Sequence, residues 1–211
     1  MVIIDLFGRS TTANQPTARG TISFISDYVN FLPGTHWEKY YYGNDQTITT
    51  KKLFLFPSYF NGDNTGNIAV TGTAFAKYID LDFDLTIKGE RLIGGDCLLN
   101  VEFVHYDRGT GGNTTKIIAK IVHYDGTTKT TLATLNGAEN YTESSNTVTQ
   151  PLKGTIITKH FKIGDILRVT IEVWAKHTES NGEVVLIHDG GETDNTGKSW
   201  VHIPYIRLDE Y

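Results

Sequence analysis

From Phe161 to Asp189 the chain alternates in a way that predicts strand. Leu167, Val169, Ile171, Val173 and Ala175 share one parity, while Arg168, Thr170, Glu172 and Lys176 share the other. A period of two sends alternate side chains to opposite faces of a sheet, so this stretch predicts one buried and one wet face. Asn181-Gly182 follows as a type I′ turn signal, which predicts that Val184–Ile187 returns as the hairpin partner.

The same period recurs along the chain. In Ile68–Lys88, Ile79, Leu81, Phe83, Leu85 and Ile87 oppose Tyr78, Asp80, Asp82, Asp84 and Thr86, which predicts one long strand. Gly89–Gly95 reads as a connection, and Cys97–Tyr106 as a strand with Leu99, Val101 and Phe103 inward. Asp125-Gly126 marks a second hairpin, between Thr114–Tyr124 and Thr127–Leu135. Asn136–Leu152 is polar and reads as surface chain before Gly154–Phe161 returns to strand. In the last strand, Trp200–Leu208, Pro204 cannot donate a ladder hydrogen bond and so predicts a bulge or an edge. Eight to ten strands separated by short turns, with no helix of useful length, predict an all-β, antiparallel β-sandwich of jelly-roll type.

Two stretches stand outside this pattern. Val2–Phe7 is a short apolar strand followed by the polar, Gly- and Pro-containing segment Gly8–Arg19, which reads as an extended arm or as a first strand with a long loop. Residues 20–211 then make one domain. Asn30–Asp45, with Pro33-Gly34 as a turn, reads as a loop carrying Trp37, Tyr40, Tyr41 and Tyr42. Such aromatics either cap the end of a sandwich core or offer rigid contact surface to a partner. Val2, Ile3, Ile4, Leu6 and Phe7 on the arm, with Trp37 and Tyr40–Tyr42, are therefore the candidate interface residues.

Composition agrees with this reading. A chain of 211 residues with 39% hydrophobic and 20% charged residues and 21 Gly suits one large β domain. A single cysteine, Cys97, leaves no internal disulfide and reads as a small buried hydrophobe. A net charge of −5 without Lys/Arg runs argues against nucleic acid as a partner. No apolar run approaches the roughly 20 residues that cross a bilayer, and Met1–Phe7 is short and interrupted by Asp5 for a secretory signal. A chain that folds in the compartment where it is made, with no membrane partner, is the expectation.

Chemistry is sparse. Histidines 36, 105, 123, 160, 177, 188 and 202 stand singly, without the close pair that announces a metal site, although one hairpin would bring His177 near His188. The Asp80-Asp82-Asp84 ladder is splayed by the strand pleat and reads as a solvated face rather than a calcium site. The acidic loop Asp189–Asn195 is a weaker calcium candidate, without EF-hand spacing. Arg108–Asn113 lacks the spacing of a phosphate loop, and no G-x-S-x-G occurs. Asp82, Glu102 and Glu172 are carboxylates on strand faces that nothing selects as a glycosidase pair. Asn113 and Asn140 match the glycosylation sequon without other signs of a secretory route. No catalytic residue, metal or cofactor is expected.

The closing segments carry a resemblance. Phe161-Lys-Ile-Gly-Asp-Ile-Leu-Arg-Val-Thr-Ile-Glu-Val-Trp174, Leu186-Ile-His-Asp189 and Trp200-Val-His-Ile-Pro-Tyr205 resemble the final strands of jelly-roll proteins in tailed-phage virions. The resemblance covers about the last fifty residues. Gly190 stands where such proteins often have Pro after the His-Asp. It implies a head-decoration, auxiliary capsid or fibre-associated subunit, assembled into a virion in the host cytoplasm. Its partners would be other virion proteins and further copies of itself. It carries over no active-site residue. A carbohydrate-binding module, with the aromatics stacking on a glycan, is the alternative.

Overall fold

A computed structural model describes residues 35–44, 53–56, 63–107, 111–179, 182–188 and 199–206. The predicted arm Val2–Phe7, the acidic loop Asp189–Asn195 and Asn181 lie outside the described residues. Thirteen strands run in chain order: β1 Thr35–Asn44, β2 Leu53–Phe56, β3 Asp63–Asn64, β4 Ile68–Val70, β5 Ala76–Thr86, β6 Arg91–Asp107 and β7 Asn113–Tyr124. They continue with β8 Lys129–Asn136, β9 Asn140–Thr142, β10 Asn146–Phe161, β11 Ile166–His177, β12 Gly182–His188 and β13 Trp200–Ile206.

The pairing resolves into two packed antiparallel sheets. One runs β1-β13-β6-β10, with β12 continuing along the edge of β6 where β13 leaves it. The other runs β5-β11-β7-β8. The short β2 links them, antiparallel to β1 and touching β5 through one parallel bridge, Phe54 with Asp84. Long strands from the first, middle and last parts of the chain therefore interleave within each sheet, which is the jelly-roll arrangement. The all-β sandwich read from the alternation is the observed fold.

The core lies between the sheets. Leu167, Val169, Ile171, Val173 and Ala175 of β11 are buried, as are Ile79, Phe83 and Ile87 from β5 and its end, and Cys97, Leu99, Val101 and Phe103 of β6. Each fully buried large apolar side chain contributes roughly 1.5–3 kcal/mol before ordering entropy is subtracted. Asp125-Gly126 makes its turn as read: Gly126 has φ +93°, and Asp125 Oδ1 accepts from the amides of Thr127 at 3.0 Å and Thr128 at 2.7 Å. Pro204 sits at an irregularity. From His202 to Tyr205 on β13, the paired strand β6 runs from Leu98 back to Ile93, so β6 carries the surplus residues as a bulge.

Four expectations are corrected. β12 does not form a hairpin with β11; it pairs with β6, β3 and β4, because both edges of β11 are taken by β5 and β7. Ile68–Lys88 is two strands, broken at 71–75, where the Tyr78 hydroxyl accepts from the amides of Thr71 and Gly72. Asn146–Leu152 is not surface chain but the first half of β10, paired with β6 along Asn100–His105 and beyond. Arg91–Gly95 is likewise the start of β6 rather than a connection.

Candidate functional site

The aromatics Trp37–Tyr42 lie on strand β1, not on a loop, and alternation splits them. Tyr40 and Tyr42 turn inward and are buried, with Tyr42 tilted against Phe83 at 4.9 Å between ring centroids. Trp37 and Tyr41 point out of the sandwich and are half-buried. Of the predicted set, the structure thus makes two residues core and two residues surface. On that side of β1 and β13, Lys39 pairs with His202 and Tyr41 with Trp200 across the two strands, and Trp200 and His202 are themselves buried. The Lys39 ammonium stands 4.7 Å from the Tyr41 ring centroid and 5.1 Å from that of Trp200. His202 packs against Trp200 at 4.6 Å and edge-on to Trp37 at 5.9 Å. Its burial, with the nearby Lys39 charge, pushes the imidazole down to about 4, so His202 is neutral at pH 7. Among the described residues Lys39 has no carboxylate partner.

A second cluster lies on the inner side of the same strand, beside an open cleft of about 350 Å³ lined by His36, Glu38, Glu90, Arg91, Leu92, Tyr205 and Ile206. Glu38 is its centre. Arg91 Nη1 donates to both carboxylate oxygens at 3.0 Å, the Tyr40 hydroxyl donates to Oε2, and His36 Nε2 lies 3.4 Å from Oε1. The Tyr40 and Tyr205 hydroxyls are 2.8 Å apart. Burial raises both phenols, Tyr205 to about 12, so neither is a base near neutrality. His36 stacks on Tyr205 at 5.3 Å and the Arg91 guanidinium covers that ring at 4.9 Å. The Glu38 carboxylate is paired within the cluster, while His36 Nδ1 is buried without a hydrogen-bond partner, and the group makes a polar plug at the end of the core. Sequence reasoning missed it because Glu38, Arg91 and Tyr205 belong to three strands far apart in the chain.

The other candidate chemistry disperses. Asp82 and Asp84 are held by Arg168, and Asp80 by Lys77. Glu172 is buried beneath Lys120 Nζ at 2.6 Å and accepts from the Trp174 indole at 2.9 Å. Asp82 and Glu172 thus share the outer face of one sheet, and Glu102 belongs to the other sheet, so they do not face each other across a cleft. His123 pairs with Asp165 at 2.7 Å, and His160 with Glu90 at 3.3 Å. His177 and His188 lie at opposite ends of strands in different sheets, so no hairpin joins them. Among the described residues no three His, Cys, Asp or Glu side chains gather as a metal site. The sequon residue Asn113 is fully buried, and its amide donates to the Glu183 carbonyl at 3.1 Å.

No protein-family model and no curated protein matches the chain. Among solved structures it is similar to two of a CocE/NonD family hydrolase from Staphylococcus aureus. Each is 13% identical and covers 83% of this chain and 37% of the hydrolase, with TM-scores of 0.53 and 0.52. The chain therefore spans little more than a third of that protein, and the likeness is one of fold. A VP2 subviral particle of infectious bursal disease virus is 14% identical over 78% of this chain and 40% of that one, at a TM-score of 0.32. That superposition is too loose to argue from.

Proposed function

We propose that the chain is a non-enzymatic structural subunit of a virion, of the phage decoration, auxiliary or fibre-associated type, acting through protein–protein contacts. The observation that carries the reading is the half-buried row Trp37, Lys39 and Tyr41 on β1, which lies beside the buried Trp200 and His202 of β13. Rigid aromatic area left partly accessible on a sheet face, as at Trp37 and Tyr41, suits a protein contact surface. The jelly-roll order and the likeness of the closing strands to phage virion proteins point the same way. A glycan platform is disfavoured, because Lys39 already occupies the Tyr41 ring that a sugar would stack on.

Light scattering of the full chain tests the reading. A discrete oligomer that dissociates on the double substitution Trp37→Ala and Tyr41→Ala is expected. A monomer that binds a glycan array through Trp37, or that carries stoichiometric iron or zinc, would replace this reading with a lectin-like or metalloenzyme one.

A further inference from the structure

The outward rows of β5, β11 and β7 grade in charge along the sheet. At the Thr86 end, Asp82 and Asp84 meet Arg168. At the other end lysines collect around Trp174, which stands in register between Lys77 of β5 and Lys116 of β7, with Lys176 two residues further along β11. Lys120 follows on the same row as Lys116. Lys77 and Lys120 are compensated: both reach the Glu172 carboxylate, at 3.4 and 2.6 Å, and Lys77 also meets Asp80. Lys116 and Lys176 are not. Among the described residues no carboxylate lies within ion-pair distance of either ammonium. Both instead stand at the ring of Phe75, Lys176 Nζ at 4.6 Å and Lys116 Nζ at 5.4 Å from its centroid.

Lys116 and Lys176 are diagonal neighbours on adjacent strands, positions about 7–8 Å apart. Two like charges held this close repel, and one aromatic ring supplies each with only part of what a carboxylate would. Four lysines against Glu172 and Asp80 leave this patch positive on a chain whose net charge is −5. Phe75, Trp174, Lys116 and Lys176 are all partly exposed, so an incoming anion meets both ammoniums without any change in the core. Two uncompensated cations are few for nucleic acid, whose binding commonly rests on roughly six to ten phosphate contacts. They are enough for a short peptide that brings two carboxylates, with Phe75 and Trp174 as flat apolar area beside them. We infer that this end of the outer face docks an acidic segment of a neighbouring protein, two of whose carboxylates pair with Lys116 and Lys176. The inference rests on the reading of the chain as a subunit that works through protein contacts, and it adds a second surface on the sheet opposite the Trp37–Tyr41 row.

Fluorescence anisotropy of a labelled hexaglutamate peptide with the full chain tests it, with hexaglutamine and a hexathymidylate strand as comparisons. Hexaglutamate should bind more tightly than either, and less tightly as salt rises. Lys116→Glu combined with Lys176→Glu should weaken it at least about tenfold, with the urea midpoint showing that the variant is folded. Lys129→Glu, at the far end of the same sheet, and Lys39→Glu, on the other sheet, should leave the affinity unchanged. Equal binding of hexaglutamine, or an affinity that the double reversal does not alter, would overturn the inference and leave the two lysines as a cover for Phe75. Tighter binding of the thymidylate strand would overturn the choice of partner, and a loss confined to Lys39→Glu would move the anion site to β1. A chain that is monomeric by light scattering yet binds hexaglutamate through Lys116 and Lys176 would remove the oligomer expected above while this site stands.

Discussion

Arg168 and Asp84 sit directly opposite each other on β11 and β5, joined by two parallel hydrogen bonds, Nε to Oδ1 at 2.6 Å and Nη2 to Oδ2 at 2.7 Å. The remaining guanidinium nitrogen, Nη1, reaches Asp82 Oδ2 at 2.5 Å, and Thr170 donates to the other oxygen of Asp82 at 2.6 Å. One planar fork thereby neutralises two carboxylates that the strand period places on the same face. The side chain of Arg168 is only 14% exposed, so this pair is better shielded than an ordinary surface ion pair. Arg168→Ala should lower stability by about 1–3 kcal/mol in urea unfolding, because it leaves Asp82 and Asp84 uncompensated. Arg168→Lys should recover only part of it, since an ammonium cannot form the two-pronged contact. An alanine variant as stable as the parent would mean that solvent replaces the fork at no cost.

How far this face and the core were legible follows from the range of each signal. The inward row of β11 was plain from Leu167 to Ala175, because its period is local and unbroken. Asn181-Gly182 signalled a reversal, but a turn signal does not say which strand the returning chain will join. β5 and β7, over forty residues away, already held both edges of β11, so β12 crossed to the other sheet. β1 was hidden for a different reason. Its inward row reads His-Glu-Tyr-Tyr, polar at one end where it meets Arg91 and Tyr205, so hydrophobicity alone showed no alternation. In β10, Val148, Gln150 and Leu152 alternate with polar residues, but Pro151 and the surrounding Thr and Asn masked the strand. Proline is tolerated in the strand ladder where its missing N–H faces away from the neighbour, and among the described residues β10 pairs only with β6.

Acid should destabilise the fold through two buried imidazoles. His105, between Phe103 and Thr115, and His202, between the tryptophans, are both pushed by burial down to about 4. Each is neutral when folded at pH 7 and takes up a proton more readily once unfolded, where its value is near 6.5. Stability is therefore full above about pH 6.5 and falls as the pH drops towards 4, by an amount on the order of 2–3 kcal/mol per histidine. Asp165, held below its usual range by its hydrogen bond from His123, adds a further loss when it is protonated at still lower pH. Urea midpoints measured from pH 7.5 to 4 should show this slope, and His105→Phe should flatten it. A slope that His105→Phe leaves unchanged would place the proton uptake elsewhere.

Gly94 should resist substitution. It stands in the bulged part of β6, where a Cβ would come within 2.7 Å of the Thr158 Cα on the neighbouring β10 and 2.4 Å of its Oγ1. The first of these atoms is backbone and cannot rotate away, so Gly94→Ala forces the two strands apart at the bulge. A loss of about 1–3 kcal/mol is expected, with rapid amide exchange confined to Ile93 and Lys159. Gly66, also a non-helical glycine but with open space around its Cβ position, is a control in which only its positive φ of 69° opposes a side chain.

The four aromatics of β1 should separate into two classes on mutation, although they are neighbours in sequence. Tyr42 is 1% exposed and packs against Phe83, which in turn meets His188 at 5.7 Å. Tyr42→Ala opens a cavity at the centre of the sandwich and should cost about 3–5 kcal/mol. Tyr40→Phe keeps the ring but removes the hydroxyl that links Glu38 to Tyr205, and should cost about 1–2 kcal/mol. Trp37 and Tyr41 point outward beside Lys39, so replacing either by alanine should change the urea midpoint little. Their loss should appear instead in the mass measured by light scattering. The opposite result, large losses of stability at Trp37 and Tyr41 with no change in assembly, would make the outer row part of the chain's own packing and remove the basis for an interface on this face.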